Sequence, residues 1–412
     1  MAWKVRRVTA DEVPALVEAD WAAFGNRPNQ AQIEEATEFL EPDRAFVAVD
    51  EDQVVGTAGT IGLELTVPGP AIVPVAGVTY VGVLPTHRRQ GILTALVAAL
   101  HEDARRRQEP LAALLAAEAT IYRRFGYGVA VSSTSVEIDR AHASLRRPIH
   151  LAGRLRMLPP NEMGDVLPPI HDRYRQLQPG EVSRPPSWWA RRLADREDER
   201  PHSGARFAVV WEDPGGGAAP AGYVTYRVRQ RWDEGVPEGT LEIEDLIALT
   251  PEVRAGLWQY CFGVDLIGVV RAWGVPIDEP LPWMLTDARR LRVTANKDFL
   301  WLRLLDVEAA LAARSYACDA SLVLEVVDGS EPAHPARYRV RGGGPGEAAC
   351  CRTDGPADLA LEVAELAAAY LGGVRFSTLA RAGLVSELTV GALARADALF
   401  AAVPAPFCCT GF

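Results

Sequence analysis

No apolar run in this chain approaches the length of about 18 residues that a membrane-spanning helix needs. The first residues, Met1-Ala2-Trp3-Lys4-Val5-Arg6-Arg7, lead into no apolar core of signal-peptide length. The expectation is a cytoplasmic protein with no membrane partner. Lysine- and arginine-rich tracts are missing too, and the net charge is −11. That balance excludes an extended nucleic-acid surface. Histidine is sparse: seven residues, scattered, with no H-x-x-x-H pair. The six cysteines, including the adjacent pairs Cys350-Cys351 and Cys408-Cys409, have neither zinc-site spacing nor the density of a disulfide scaffold. Reduced thiols and no metal are expected. There is no G-x-S-x-G elbow, Walker loop or Rossmann fingerprint, and the glycine run 342–346 reads as a hairpin turn rather than a phosphate cradle.

What is present is enough apolar content, 48% of 412 residues, to fill two or three cores. Residues 78–84 read as a β-branched strand. Pro85-Thr86-His87-Arg88-Arg89-Gln90-Gly91 reads as a basic turn, and an amphipathic helix runs from Ile92 to about Arg107. Successive backbone N–H groups and the positive end of a helix converge on an anion in such a turn, and the arginines add charge. A phosphate or pyrophosphate is the expected ligand.

Around this stretch the pattern gives helices over 9–24 and 32–40, then a hairpin-like pair of strands at 45–49 and 53–65. A buried strand at 111–117 follows, then a short glycine-broken helix at 118–128 and an alternating strand at 129–138. A helix is expected over 162–177, with an exposed turn at 213–217. Strands are expected at 322–327 and 338–341, and helices over 307–314, 359–371 and 389–402. The middle of the chain echoes the basic turn: a strand over 240–249 precedes Thr250-Pro251-Glu252-Val253-Arg254-Ala255-Gly256-Leu257. There Leu249, Arg254, Gly256 and Leu257 take the places of Leu84, Arg89, Gly91 and Ile92. Val253 replaces Arg88, and Glu252 would repel a phosphate.

The spacing Arg88-x-x-Gly91-x-Leu93 resembles the acetyl-CoA loop of the GNAT superfamily. Taken with 76–94 and 117–128, it resembles the Eis (enhanced intracellular survival) family of N-acetyltransferases, in which leucine also stands at the position of Leu93. The likeness extends through Leu65-Thr66-Val67-Pro68, Pro282-Trp283-Met284-Leu285-Thr286-Asp287, Leu300-Trp301-Leu302-Arg303 and Val307-Glu308-Ala309-Ala310-Leu311 to the terminal Phe412. It implies an α/β (α+β) chain of two tandem GNAT folds and a sterol-carrier-protein-like domain. The expected divisions are a catalytic acetyl-CoA-binding domain (1–145), a degenerate copy (146–299) and a carrier-like domain (300–412) that supplies the C-terminal carboxylate.

The resemblance also implies acetyl transfer from acetyl-CoA to a primary amine of aminoglycoside, polyamine or lysine type. Tyr122 matches the general acid, a phenol of ordinary pKa about 10 facing a thiolate whose conjugate acid lies near 8.5. The Phe412 carboxylate matches the general base. Val81, Gly82 and Val83 match the strand that pairs with pantetheine. Arg88, Arg89, Gln90, Gly91, Ile92, Leu93 and Thr94 match the pyrophosphate turn, with Ala117 and Glu118 near the thioester. Phe24, Asn26, Tyr80 and Gly411 fall at the amine pocket, where Asn26 and Gly411 stand in place of acidic residues. That substitution points to an amine smaller or more apolar than kanamycin. The family implies a homohexamer. The alternative is a lipid-binding scaffold with a vestigial transferase site.

Overall fold

A reciprocal cap opens the 3-10 turn Ala10–Glu12 that leads into the first long helix: the Glu12 carboxylate accepts from the Thr9 backbone N–H at 3.0 Å. Helix α1 (Val13–Ala23) then turns Val13, Leu16 and Val17 inward. A second such cap, between Asn29 and Gln32, opens α2 (Gln30–Phe39). The computed structural model describes residues 3–69, 71–147, 153–197, 200, 203–212, 219–329, 335–343 and 349–412. The turn expected at 213–217 and residues 344–346 of the glycine run lie outside these described residues. Two compact units emerge, one formed by 1–131, 299–406 and 410–412, the other by 132–298 and 407–409.

In the first unit the strands are β1 (Lys4–Arg7), β2 (Ala45–Asp50), β3 (Gln53–Val67), β4 (Ala71–Val83) and β5 (Leu111–Leu114). They lie in the order β1-β2-β3-β4-β5. β1 to β4 pair antiparallel, while β4 and β5 run parallel because α3 (Ile92–Arg106) crosses between them. α3 buries Ile92, Leu96, Val97, Leu100 and Ala104 in a core shared with Val55, Val78, Leu114 and Tyr127. A short helix, α4 (Ala119–Tyr122), follows β5.

The second unit contains β6 (Gly128–Asp139) from residue 132 onward, β7 (Arg154–Leu158), α5 (Pro160–Arg175), α6 (Pro186–Leu193), β8 (Phe207–Glu212) and β9 (Gly222–Arg229). A two-residue ladder joins β10 (Trp232–Asp233) to β11 (Val236–Pro237). β12 (Gly239–Ala248), α7 (Pro251–Gly263) and β13 (Ile267–Val275) repeat the strand–helix–parallel strand crossover of β4-α3-β5. The echo read in the sequence is thus a repeat in the fold. α8 (Leu281–Met284) precedes β14 (Arg292–Leu304), which belongs to the first unit from Phe299 onward; its last four residues pair with β5 within that unit.

The remainder of the first unit is α9 (Val307–Ala313) and the sheet of β15 (Ser321–Val327), β16 (Ala336–Arg341), β17 (Ala349–Arg352), β18 (Leu359–Glu362) and β19 (Val385–Glu387), ordered β17-β16-β15-β18-β19. The helices α10 (Val363–Ala369), α11 (Phe376–Arg381) and α12 (Ala392–Phe400) complete it. The helix expected over 359–371 is therefore shorter. Leu359 to Leu361 pair with β19, and a helix-compatible apolar run continues straight out of that strand. The Cβ of an alanine at Gly128 would lie 1.9 Å from the Ala364 carbonyl oxygen of α10. Gly128→Ala is expected to cost about 1–3 kcal/mol of stability, read from urea unfolding.

Candidate active site

The cleft of the first unit begins where two parallel strands part. β4 pairs with β5 only at Val75, Ala76 and Gly77, because β5 ends at Leu114 while β4 runs on to Val83. The strand expected over 111–117 is cut short for the same reason: beyond Leu114 its neighbour has turned away. A bulge against β3 marks the bend, with a register shift between Thr57 and Gly59 and Tyr80 at φ 51°. Residues 81–83 are thereby left with a backbone edge that β5 does not use. An extended amide chain can pair along such an edge.

The basic turn closes one end. Arg89 (φ 62°) and Gly91 (φ 86°) both take left-handed backbone, and Gly91 caps α3. A cleft of about 810 Å³ runs along this wall, lined by Val81, Gly82, Val83, Arg88, Arg89, Gly91, Ile92, Leu93, Thr94, Ala117, Glu118 and Tyr122. Phe24 lines it as well, and is 54% exposed. Of the residues singled out in the sequence, Gln90 is exposed in the turn and Asn26 is exposed just after α1; neither lines the cleft. Tyr80 packs instead with the Val13, Leu16 and Val17 cluster. Gly411 is exposed and Phe412 half-buried; residues 410–412 group with the unit that contains the cleft, but neither Gly411 nor Phe412 is among the residues that line it.

The three cations differ in what they can do. Arg88 donates through Nη2 to the Ala23 carbonyl at 3.0 Å and through Nε to Val83 at 3.4 Å, so it ties the end of α1 to β4. Arg89 has no hydrogen bond or ion pair among the described residues. Arg124, a lining residue that sequence reasoning missed, lies over the Phe125 ring at 4.8 Å. These two are the side chains with charge to spare for an anion. Ala23, His87 and Ile121 complete the wall.

Tyr122 is buried and meets Tyr127 edge-on at 6.0 Å, while Tyr127 hydrogen-bonds His101 at 3.0 Å. The Tyr122 hydroxyl has no partner among the described residues. Burial, then the charges of Asp20 and Glu118, push its phenol up to about 12, against the ordinary value assumed from sequence. The phenol stays protonated at any physiological pH.

Asp20 gave no signal in the sequence, because it is one acid among several on an amphipathic helix. It is 8% exposed, and its Oδ1 would meet a Cβ at Gly82 at 3.0 Å. A side chain at Gly82 would crowd this carboxyl, which would have to give by a few tenths of an ångström. Burial holds its pKa at about 6, offset in part by a 3.4 Å bond from Thr57 Oγ1. The folded state therefore grips this proton more tightly than the unfolded chain, and stability falls as pH rises from about 4 to about 6. The difference from the ordinary 3.8 corresponds to about 3 kcal/mol once the group is ionised. Asp20→Asn is expected to be the more stable protein at pH 8 by about 2–3 kcal/mol, with the gap closing near pH 4. Denaturant titrations at both pH values check this.

In the second unit the corresponding turn is differently furnished. Arg254 is ion-paired with Glu279, its Nε donating at 3.1 Å, and Thr250 caps the helix by accepting from Val253 N–H.

Comparison with known proteins agrees with this anatomy. Residues 4–130 and 180–304 each match an acetyltransferase (GNAT) domain, and 307–409 match a sterol carrier protein domain. An uncharacterized N-acetyltransferase of Streptomyces coelicolor is 40% identical over 95% of both chains. The N-acetyltransferase Eis of Mycobacterium tuberculosis is 36% identical, over 85% of this chain and 83% of its own. The crystal structure of Eis1 from Mycobacterium abscessus aligns with a TM-score of 0.86 at 37% identity, covering 99% of this chain and all of that one.

Proposed function

From the premise that this chain belongs to the Eis family of GNAT N-acetyltransferases, we propose that it moves acetyl from acetyl-CoA directly to a primary amine in the cleft of its first unit. The observation that carries this reading is the meeting, in one cleft, of the unpaired β4 edge, the Arg89 and Gly91 turn, and the unpartnered hydroxyl of Tyr122. The edge at 81–83 suits the amides of pantetheine. Arg89, Arg124 and the start of α3 suit the pyrophosphate.

The amine nitrogen attacks the thioester carbon, and the C–S bond breaks. Tyr122 gives its proton to the departing sulfur. The Phe412 carboxylate takes the proton lost by nitrogen, directly or through water. Above its pKa of about 6, Asp20 adds negative potential behind Gly82 that draws an ammonium ion to the cleft; that ion gives one proton to solvent before its nitrogen attacks, and the Phe412 carboxylate takes the second after attack. The second unit keeps the fold without the cofactor, since Arg254 is engaged by Glu279.

The lipid-carrier alternative has less support. The cavity of about 860 Å³ beside the third sheet has Arg105, Glu109, Asp306, Asp328 and Arg352 in its walls, a charged lining unsuited to an acyl chain. Among the described residues no helix is long and apolar enough to cross a membrane. A hexamer is proposed on the family likeness, with light scattering as its check.

The test is a CoA-release assay over aminoglycosides, polyamines, arylalkylamines and lysine peptides. Saturable dependence on acetyl-CoA is expected, with amines smaller or more apolar than kanamycin preferred. Kanamycin acetylated efficiently at several positions would overturn that preference. Arg89→Ala is expected to raise the KM for acetyl-CoA about tenfold at nearly constant kcat, the loss of one charge-assisted hydrogen bond.

A further inference from the structure

Three side chains distant in sequence meet inside the second unit. His171 on α5, Glu181 in the loop that follows and Cys409 near the chain's end bring one ligand atom each within 4.8 Å of one another. His171 Nε2 lies 3.5 Å from Glu181 Oε1, and Cys409 Sγ lies 3.1 Å from Glu181 Oε2. The site is sealed: His171 is 2% and Glu181 0% exposed. Even so, His171 Nε2 has no hydrogen-bond partner among the described residues. A buried ring nitrogen left in that state beside a carboxylate and a thiol asks for a ligand.

We propose that His171, Glu181 and Cys409 hold a structural zinc ion. Nitrogen, carboxylate oxygen and thiolate sulfur are the donors zinc accepts, and a tetrahedral zinc sets them about 3.3–3.6 Å apart. One measured separation, 3.5 Å, falls within that range and the other, 3.1 Å, lies just short of it; the widest, within 4.8 Å, closes by about 1 Å. Cys408 Sγ, 3.8 Å from Glu181 Oε1, is the nearest candidate for a fourth ligand.

The charges balance. A neutral imidazole has a lone pair to give, and the unpartnered Nε2 of His171 is the atom that would give it. One carboxylate and one thiolate then neutralise the dication, and the Cys409 thiol proton leaves to solvent on binding. Arg184 donates to Cys409 Sγ at 3.3 Å and places a cation nearby, but Asp245 holds that guanidinium at 2.8 and 3.2 Å and offsets its charge. Its hydrogen bond to sulfur is the kind of outer contact that fixes a ligand's orientation. Zinc here would peg the chain by the side chain of Cys409, three residues before its end. Its role is structural, since no step of acetyl transfer passes through it.

The test uses the full chain, purified from zinc-supplemented medium and analysed for metal by mass spectrometry. About one zinc per chain is expected, falling to trace in His171→Gln and in Cys409→Ser. Chelator-treated wild-type protein should also take up cobalt(II), with tetrahedral ligand-field bands and a thiolate-to-cobalt charge-transfer band. That second band should vanish in Cys409→Ser. Zinc content equal in wild type and both variants overturns the proposal. So does a wild-type chain without stoichiometric zinc or a cobalt–thiolate band, whether or not the variants fold.

Discussion

Tyr122→Phe is expected to lower kcat by about two to three orders of magnitude while the KM for acetyl-CoA stays within about twofold. Phenylalanine keeps the ring that packs edge-on against Tyr127 and removes only the hydroxyl, so fold and cofactor wall survive. What is lost is the donor for sulfur. With the phenol at about 12 and a free thiol near 8.5, complete transfer would be uphill by roughly 5 kcal/mol if the thiolate sat in water. On the proposed mechanism the thiolate forms beside the buried phenol, where the same burial would penalise it too and narrow the gap. In the proposed mechanism the proton therefore moves as the C–S bond breaks, and the hydroxyl would act first as a hydrogen-bond donor to developing negative charge. The raised pKa carries a second consequence. No alkaline limb of the rate profile up to pH 10 belongs to Tyr122. Steady-state kinetics of both proteins from pH 6 to 10 decide the matter, and an unchanged kcat in Tyr122→Phe would remove Tyr122 from the mechanism.

The parts of this site that could be read in the sequence are those that lie together along the chain. Strand, turn and helix over 78–107 are contiguous, and their periodicity and the glycine at the turn report local backbone needs that tertiary context does not alter. The internal copy at 240–257 was legible for the same reason. Asp20 was not. Its proximity to Gly82 and Thr57 depends on how α1 lies on β4, which no spacing within 13–23 encodes. Arg88 shows the converse: the turn marks it as a phosphate ligand, and nothing in the sequence signals that it also donates to the Ala23 and Val83 carbonyls while lining the cleft. The cluster of His171, Glu181 and Cys409 spans 228 residues between its last two members. No motif search reaches that far. Element ends were blurred where a strand runs into a helix without punctuation, as at Glu362 and Val363.

Deleting Phe412 is expected to reduce kcat about a hundredfold, whereas Asp20→Asn is expected to act on the amine's KM, raising it several-fold with kcat little changed. The two carboxylates differ in what they can contribute. On the proposed mechanism the terminal carboxylate acts on the rate at every pH, so its removal changes the height of the profile and not its shape. Asp20 titrates at about 6. Below that pH it is neutral and the cleft loses a negative charge that draws an ammonium ion, so wild-type kcat/KM for the amine should fall as pH drops through about 6. In Asp20→Asn that limb should disappear, leaving the lower value at every pH. The des-Phe412 protein should keep the limb and lose rate uniformly. If instead the deletion leaves kcat intact and Asp20→Asn abolishes it, the base is the buried aspartate, and the terminal carboxylate has no part in the chemistry.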